Sequence, residues 1–309
     1  MIDLDTFLTT LYVMVDDFCQ SQAEPERDRP GPQPALSVAE VVTLSLFGQW
    51  ANFASERAFY RYAEQHLRAA FPDLPARSQF NRVQRTYAEA ITAFGLFLVE
   101  LTNAQHCHYE RIDSSGIAIR DAKRRAEGWL AGQADIGWSN RIGWYEGFHL
   151  LVSIAQEGMI TGYGFGPAST HDQLLMETFL ALRAMPVPSL SSVGEPAQGS
   201  YIADKGFAGQ IPHQRWQELY GAEVITPPHQ SSKQKWPKEW RRWLAHLRQG
   251  IEGVFDKLLN TFRLARERPH ALSGFQARLA AKISLHNFCI WLNSTLQRPP
   301  LAFADLLDW

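Results

Sequence analysis

The feature that most constrains this chain is a change of hydrophobic texture near residue 105. Downstream of it, "HYERIDSSGIAI", "YEGFHLLVSIA" and "MITGYGFGPA" are rich in β-branched and aromatic residues and joined by short connections, which predicts three extended segments in an antiparallel meander. "HDQLLMETFLALRAM" then predicts a helix, and "PVPSLSSVGEPAQGS" a loop. "YIAD" reads as a strand, "IPHQRWQELYG" as a short helix and "AEVITPP" as a further strand. A basic loop, "HQSSKQKWP", leads into a long helix from Lys238 to about Thr261. A last helix, roughly Leu272 to Leu296, is apolar nearly all round and therefore predicted to be a buried packing helix. Three strands, helix, strand, helix, strand and long helix specify an α/β fold with a mixed sheet.

The first hundred residues carry helical spacing instead. "LDTFLTTLYVMVDDFC" is followed by the proline-rich connector "QSQAEPERDRPGPQP", and Ser37 with Glu40 forms a capping-box signature before "VVTLSLFGQW". Two further amphipathic stretches hold Arg57, Arg61 and Arg68, then Arg77, Arg82 and Arg85. Those arginines admit two readings, a DNA-contacting module or a helical cap whose charges face solvent. Charge is segregated along the chain: residues 1–40 hold eight acids against two arginines, whereas residues 231–268 hold ten bases against four acids. The net charge of -2 gives no support of its own to a nucleic-acid partner. Cys19, Cys107 and Cys289 have no metal-ligand spacing and suit a reducing compartment. Acidic residues in the first twenty positions do not suit a secretory signal, so an intracellular, cytoplasmic setting is expected.

Three carboxylates stand out. Asp113 in "RIDSSG" and Asp204 in "YIADKG" each follow a short apolar run and precede small residues or glycine, which would let a ligand approach the backbone. Taken singly, each also fits a cap or turn, and Ser114 and Ser115 read as a turn after Asp113. Glu252 borders the apolar stripe Leu244, Leu247, Ile251, Phe255 and Leu258, with Arg248 one turn earlier. Two strand-end aspartates and a helical glutamate form an oxygen-only donor set, which suits Mg²⁺ or Mn²⁺ and disfavours zinc. Two such ions would activate an attacking oxygen and stabilise a leaving one in phosphoryl transfer. Lysines and arginines around Glu252 would hold a polyanion there, and Trp236, Trp240 and Trp243 either stack on bases or pack on the core.

Together, "IDSSG", "ADKGF" and "LRQGIEGVFDKL" resemble the motifs of bacterial insertion-sequence transposases of the DDE type. The resemblance spans nearly the whole chain. It implies a ribonuclease-H-like mixed five-stranded sheet flanked by helices, with a helical N-terminal region. The implied divisions are 1–104, helical and possibly DNA-binding; 105–268, catalytic; and 269–309, a C-terminal helical packing segment. It implies Asp113, Asp204 and Glu252 as catalytic and metal-binding residues, with Mg²⁺ (or Mn²⁺) as two ions. Expected DNA contacts are Lys205, Lys233, Lys235, Lys238, Arg241, Arg242, Arg248 and Lys257. Ala245 stands where relatives often have tyrosine, and Leu259 where they commonly have lysine.

The implied reaction is hydrolysis at a transposon end, followed by attack of the freed 3′-hydroxyl on target DNA. The implied partners are double-stranded DNA at inverted repeats and target DNA, with a homodimer in the DNA complex. His149 in "GFHLLV" is either a satisfied half-buried histidine or a phosphate-orienting one. Asp172 in "STHDQ" reads first as a helix cap and is a reserve candidate for the site. Asn287 reads as a packing and hydrogen-bonding residue. Two other functions share these motifs: a metal-dependent nuclease without strand transfer, and a domesticated DNA-binding protein without catalysis.

Overall fold

The computed structural model describes residues 1–22, 34–121, 130, 132–184, 200–228 and 236–309. The chain begins with a two-residue strand, β1 (Ile2–Asp3), and helix α1 (Leu4–Ser21), capped where the Asp3 carboxylate accepts the Thr6 N–H at 2.8 Å. Helix α2 (Val38–Phe47) starts at the predicted capping box: Ser37 Oγ accepts the Glu40 N–H, and the Glu40 carboxylate accepts the Ser37 N–H at 2.7 Å. Helices α3 (Glu56–Tyr62), α4 (Arg77–Thr86) and α5 (Ala88–Leu101) complete the N-terminal region.

The sheet then forms from β2 (Tyr109–Asp121), β3 (Asp135–Ser139), β4 (Gly143–Ile154), β5 (Ile160–Pro167), β6 (Ser200–Ile202) and β7 (Glu223–Ile225). Among the described residues six strands occupy five positions, because β3 and β5 share one edge of β4. β3 pairs with Gly143–Gly147, and β5 with Phe148–Ile154. Across the sheet, β4 and β2 are antiparallel, while β2, β6 and β7 run parallel. Helix α6 (Asp172–Ala184) connects β5 to the 185–199 segment, and α7 (Gln210–Tyr220) joins β6 to β7. Three antiparallel strands continued by two parallel ones across a central first strand are the ribonuclease-H-like arrangement.

The predicted strand in "HYERIDSSGIAI" forms, and the reading of Ser114 and Ser115 as a turn does not hold. Asp113 lies within a 13-residue strand, because β4 pairs with β2 continuously from Arg111 past Ser114 and Ser115. Small residues allow this where neighbours crowd the backbone. A Cβ at Gly116, for example, would overlap the Tyr145 hydroxyl.

Two helix layers enclose the sheet. α6 and α7 bury Met176, Phe179 and Trp216 against Ile112, Leu151 and Tyr201. On the other face, α8 (Lys238–Asp256), α9 (Leu272–Thr295) and the N-terminal helices join the sheet in one continuous apolar core. α9 is buried nearly all round, as its sequence predicted. Asn287 pins it there: its Oδ1 accepts the Ile160 N–H at 2.9 Å, and its Nδ2 donates to Gly95 O and Ile160 O. The last strand, β8 (Leu307–Asp308), pairs with β1 and brings the chain ends together. On the α6 side, buried Arg183 binds both carboxylate oxygens of buried Glu110 and donates to Tyr201 Oη at 2.9 Å. That pair locks α6 to the start of β2. No helix among the described residues is long and apolar enough to cross a membrane.

Candidate active site

β2 and β6 pair in parallel, with Tyr109, Glu110 and Arg111 opposite Ser200, Tyr201 and Ile202. Continued for two residues, that register sets Asp204 beside Asp113. That register therefore points two residues ninety-one positions apart in the chain to the same end of the sheet. Asp113 is half-buried, and its Oδ1 accepts the Ser114 N–H at 2.8 Å. Burial pushes its carboxyl up to about 6; the Ser114 bond and Arg248 oppose the shift, and Asp204 and Asp172 add to it.

The third carboxylate comes from α8, which a buried arginine holds across the sheet. Arg111 donates to Leu247 O of α8 at 3.2 Å and, from the other nitrogen, to Ala155 O at 2.7 Å and to Gln156 O. Gly250 is glycine for this reason: a Cβ there would overlap Arg111 Nη1. The helix stays regular through Gly250 and Gly253, then loosens into a wider π turn over Lys257–Thr261. One turn along α8, Arg248 reaches Asp204 Oδ1 at 3.3 Å and Glu252 Oε1 at 3.8 Å. The expected i,i+4 pair is thus real, and the same guanidinium also joins the helix to the β6 aspartate. Glu252 is the most open of the three, with 62% of its side chain exposed. As the side chains stand, the described residues hold no group of three acidic, histidine or cysteine side chains able to bind a metal ion together.

On the opposite side of β2, Ser114, His149 and Asp172, each named separately in the sequence reading, meet in one network. Ser114 Oγ donates to Asp172 Oδ1 at 2.5 Å and lies 2.9 Å from His149 Nε2, while His149 Nδ1 donates to Thr170 O at 2.8 Å. Asp172 Oδ1 is also 3.4 Å from His149 Nε2. The Asp172 carboxylate covers Gly206 of the "DKG" motif so closely that a Cβ at Gly206 would overlap Oδ2. His149 is therefore taken up by protein hydrogen bonds, and Asp172 spans from β2 to the turn behind Asp204.

The expected DNA-contacting residues fall in different places. Lys205 is exposed in the turn after Asp204, and Lys238, Arg241 and Arg242 are exposed in the first turns of α8. Trp240 and Trp243 are 56% and 42% exposed beside them, linked edge to face through Trp236, Trp240, Trp243 and Tyr109. Arg248 faces the carboxylates, and Lys257 Nζ lies 3.5 Å from Asp256. Lys233 and Lys235 lie outside the described residues.

Residues 111–288 match the family described as transposase DDE domain. The chain belongs to that family. The matched stretch begins at Arg111, two residues before Asp113, and runs through α8 and most of α9, so it contains the whole of the carboxylate arrangement. Among solved structures, the Mos1 strand transfer complex is 13% identical, with a TM-score of 0.25 over 89% of this chain and 83% of that chain. The Mos1 transposase paired-end complex with left transposon end is 14% identical, with a TM-score of 0.24 over 80% and 84%. TM-scores that low do not establish a shared arrangement. Among curated proteins, none matches this sequence.

Proposed function

We propose that this DDE-domain protein is a DNA transposase that cleaves transposon ends and transfers the freed strand to target DNA, with Asp113, Asp204 and Glu252 as its catalytic carboxylates. One observation carries the reading: the β2–β6 register, continued two residues beyond its last pair, points Asp113 and Asp204 to the same end of the sheet, and Arg248 lies between Asp204 and Glu252 on α8. The donor set fits a hard divalent cation, since it is oxygen-only, and a positive charge beside Asp113 would offset the burial that raises its carboxyl to about 6. Mg²⁺ or Mn²⁺ held by these three residues would polarise a phosphoryl oxygen and lower the pKa of an attacking water.

The chain's own residues supply position and charge. β2 fixes Asp113, and the Asp172 contact backs the turn that carries Asp204. Arg248 lies between Asp204 and Glu252 and offsets the repulsion between the two carboxylates. In the first step, water oxygen bonds to phosphorus and the P–O3′ bond breaks, leaving a 3′-hydroxyl. In the second, that hydroxyl bonds to a target phosphorus as the target P–O3′ bond breaks, so the bonds formed and broken balance. Lys205, Lys238, Arg241 and Arg242 offer exposed cations to the phosphates flanking the site, with Trp240 and Trp243 open for stacking on bases. A homodimer on DNA would hold the two ends of an element together.

The test is Asp204→Asn with labelled DNA carrying the element's ends and Mg²⁺. Expected is loss of both end cleavage and joined products, with DNA binding retained. Cleavage by this variant at the wild-type rate would refute the carboxylate assignment. Hydrolysis without joined products from the wild type would favour the nuclease reading.

A further inference from the structure

Helices α2, α3 and α4 and the segment between α8 and α9 enclose an open cleft of about 640 Å³. Among the described residues its lining holds seven arginines against two carboxylates, Glu56 and Glu267. Both carboxylates are neutralised inside the protein. Arg278 meets Glu267 at 2.8 Å and Glu56 at 3.5 Å, and buried Lys282 meets Glu267 at 2.8 Å. Arg263 is likewise committed, donating to Gly48 O at 2.9 Å and to Phe53 O, which fastens the α8–α9 segment to the end of α2.

Five cations remain: Arg57, Arg77, Arg85, Arg266 and Arg268. All are exposed, and none is paired with a carboxylate among the described residues. Arg85 and Arg268 donate only to backbone carbonyls. Like charges converging in a concave, partly low-dielectric setting repel one another and focus a positive potential outward, and a polyanion in the cleft would relieve that repulsion.

The cleft also touches the strand that carries Asp113. Arg268 Nη1 donates to Ala118 O of β2 at 3.3 Å, five residues along the strand from Asp113. At a rise of about 3.3 Å per residue, that is roughly 17 Å. Successive base pairs of duplex DNA are spaced by about 3.4 Å, so the separation corresponds to about five steps. A free phosphate would meet one or two of these arginines, whereas a duplex backbone presents an anion to each along its length.

We propose that this arginine cleft is a second DNA-binding site, gripping the phosphate backbone of duplex DNA about half a helical turn from the phosphate seated at Asp113. The inference rests on the carboxylate reading for its distance along the duplex, and on the cleft alone for its ligand. Arg57 and Arg77 come from the N-terminal helices, and Arg266 and Arg268 from the segment after the catalytic helix, so the site exists only when those parts are packed together.

The test uses the full chain carrying Arg57→Ala, Arg77→Ala and Arg266→Ala together, with a fluorescein-labelled duplex of about 30 bp titrated between about 50 and 200 mM KCl. Expected is a fall of about 2–3 in the magnitude of the log affinity against log salt slope, since each lost phosphate contact removes about 0.9. The thermal midpoint should be unchanged, because the three side chains are exposed. A folded variant with an unaltered slope overturns the proposal, as does displacement of the duplex by structured RNA or inorganic phosphate at lower phosphate concentration than by unlabelled duplex. The carboxylate reading fails separately. If Asp204→Asn still cleaves while the triple variant loses slope, the cleft stands and the catalytic assignment falls.

Discussion

Replacing Gly250 with alanine sets two physical effects against each other, and the structure decides which wins. An exposed or neutral helix position would gain about 1 kcal/mol from Gly→Ala through propensity alone. At Gly250, however, the added methyl would occupy the place of Arg111 Nη1. Arg111 is 8% exposed, and its guanidinium donates only to backbone carbonyls: Leu247 on α8, and Ala155 and Gln156 beyond β4. Hydrogen bonds to a charged group contribute about 1.5–3 kcal/mol each. Losing one or two of them costs about 2–5 kcal/mol, so after the propensity gain Gly250→Ala should destabilise by about 1–4 kcal/mol. For a chain of this size that is a fall of roughly 2–8 °C in thermal midpoint. Gly253→Ala is the internal control. Its Cβ would meet only Leu301 Cδ1 at 3.1 Å, the end of a flexible side chain, so this variant should be neutral or up to about 1 kcal/mol more stable. Urea unfolding followed by circular dichroism at neutral pH distinguishes the two. A Gly250→Ala protein as stable as the wild type would refute the argument that Arg111 sets the position of α8.

Two further outcomes follow from buried charge. Arg183→Met leaves the Glu110 carboxylate unpaired in the core, and should cost about 3–5 kcal/mol in the same unfolding assay; a loss below 1 kcal/mol would show that water reaches that pair. Burial pushes the His286 imidazole down to about 4 from an ordinary 6.5. A base with a lowered folded pKa contributes stability that is whole above 6.5 and is lost as pH falls from there toward 4. Between pH 7.5 and 5 the wild type should therefore lose about 2 kcal/mol through this group, and His286→Gln should flatten that part of the profile; an unchanged profile would remove His286 as its cause.

Much of the fold was legible in the sequence because it depends on local pattern. The capping box at Ser37, the alternation through "YEGFHLLVSIA" and the apolar surface of the last helix each predicted the element that formed. Where the reading departed, long-range pairing had overridden local preference. "DSSG" has turn-like composition, yet it lies within β2 because β4 supplies hydrogen-bonding partners along its length. Gly250 reads as a flaw in a helix until the Arg111 guanidinium is placed over it. Likewise, Arg248 reads as a surface helix partner of Glu252, and nothing in its spacing shows that Asp204 is also within reach.

The sequence by itself therefore determined the order of the elements, the residue types of the carboxylate set and the segregation of charge along the chain. Period, capping and composition act over a few residues and can be read in one dimension. Only the tertiary structure decided which charges meet. The β2–β6 register points Asp204 toward Asp113, and helix packing brings Arg57 and Arg77 to Arg266 and Arg268 from about two hundred residues away. Electrostatic interaction depends on separation in space, and the spacing of residues along a chain does not carry that distance.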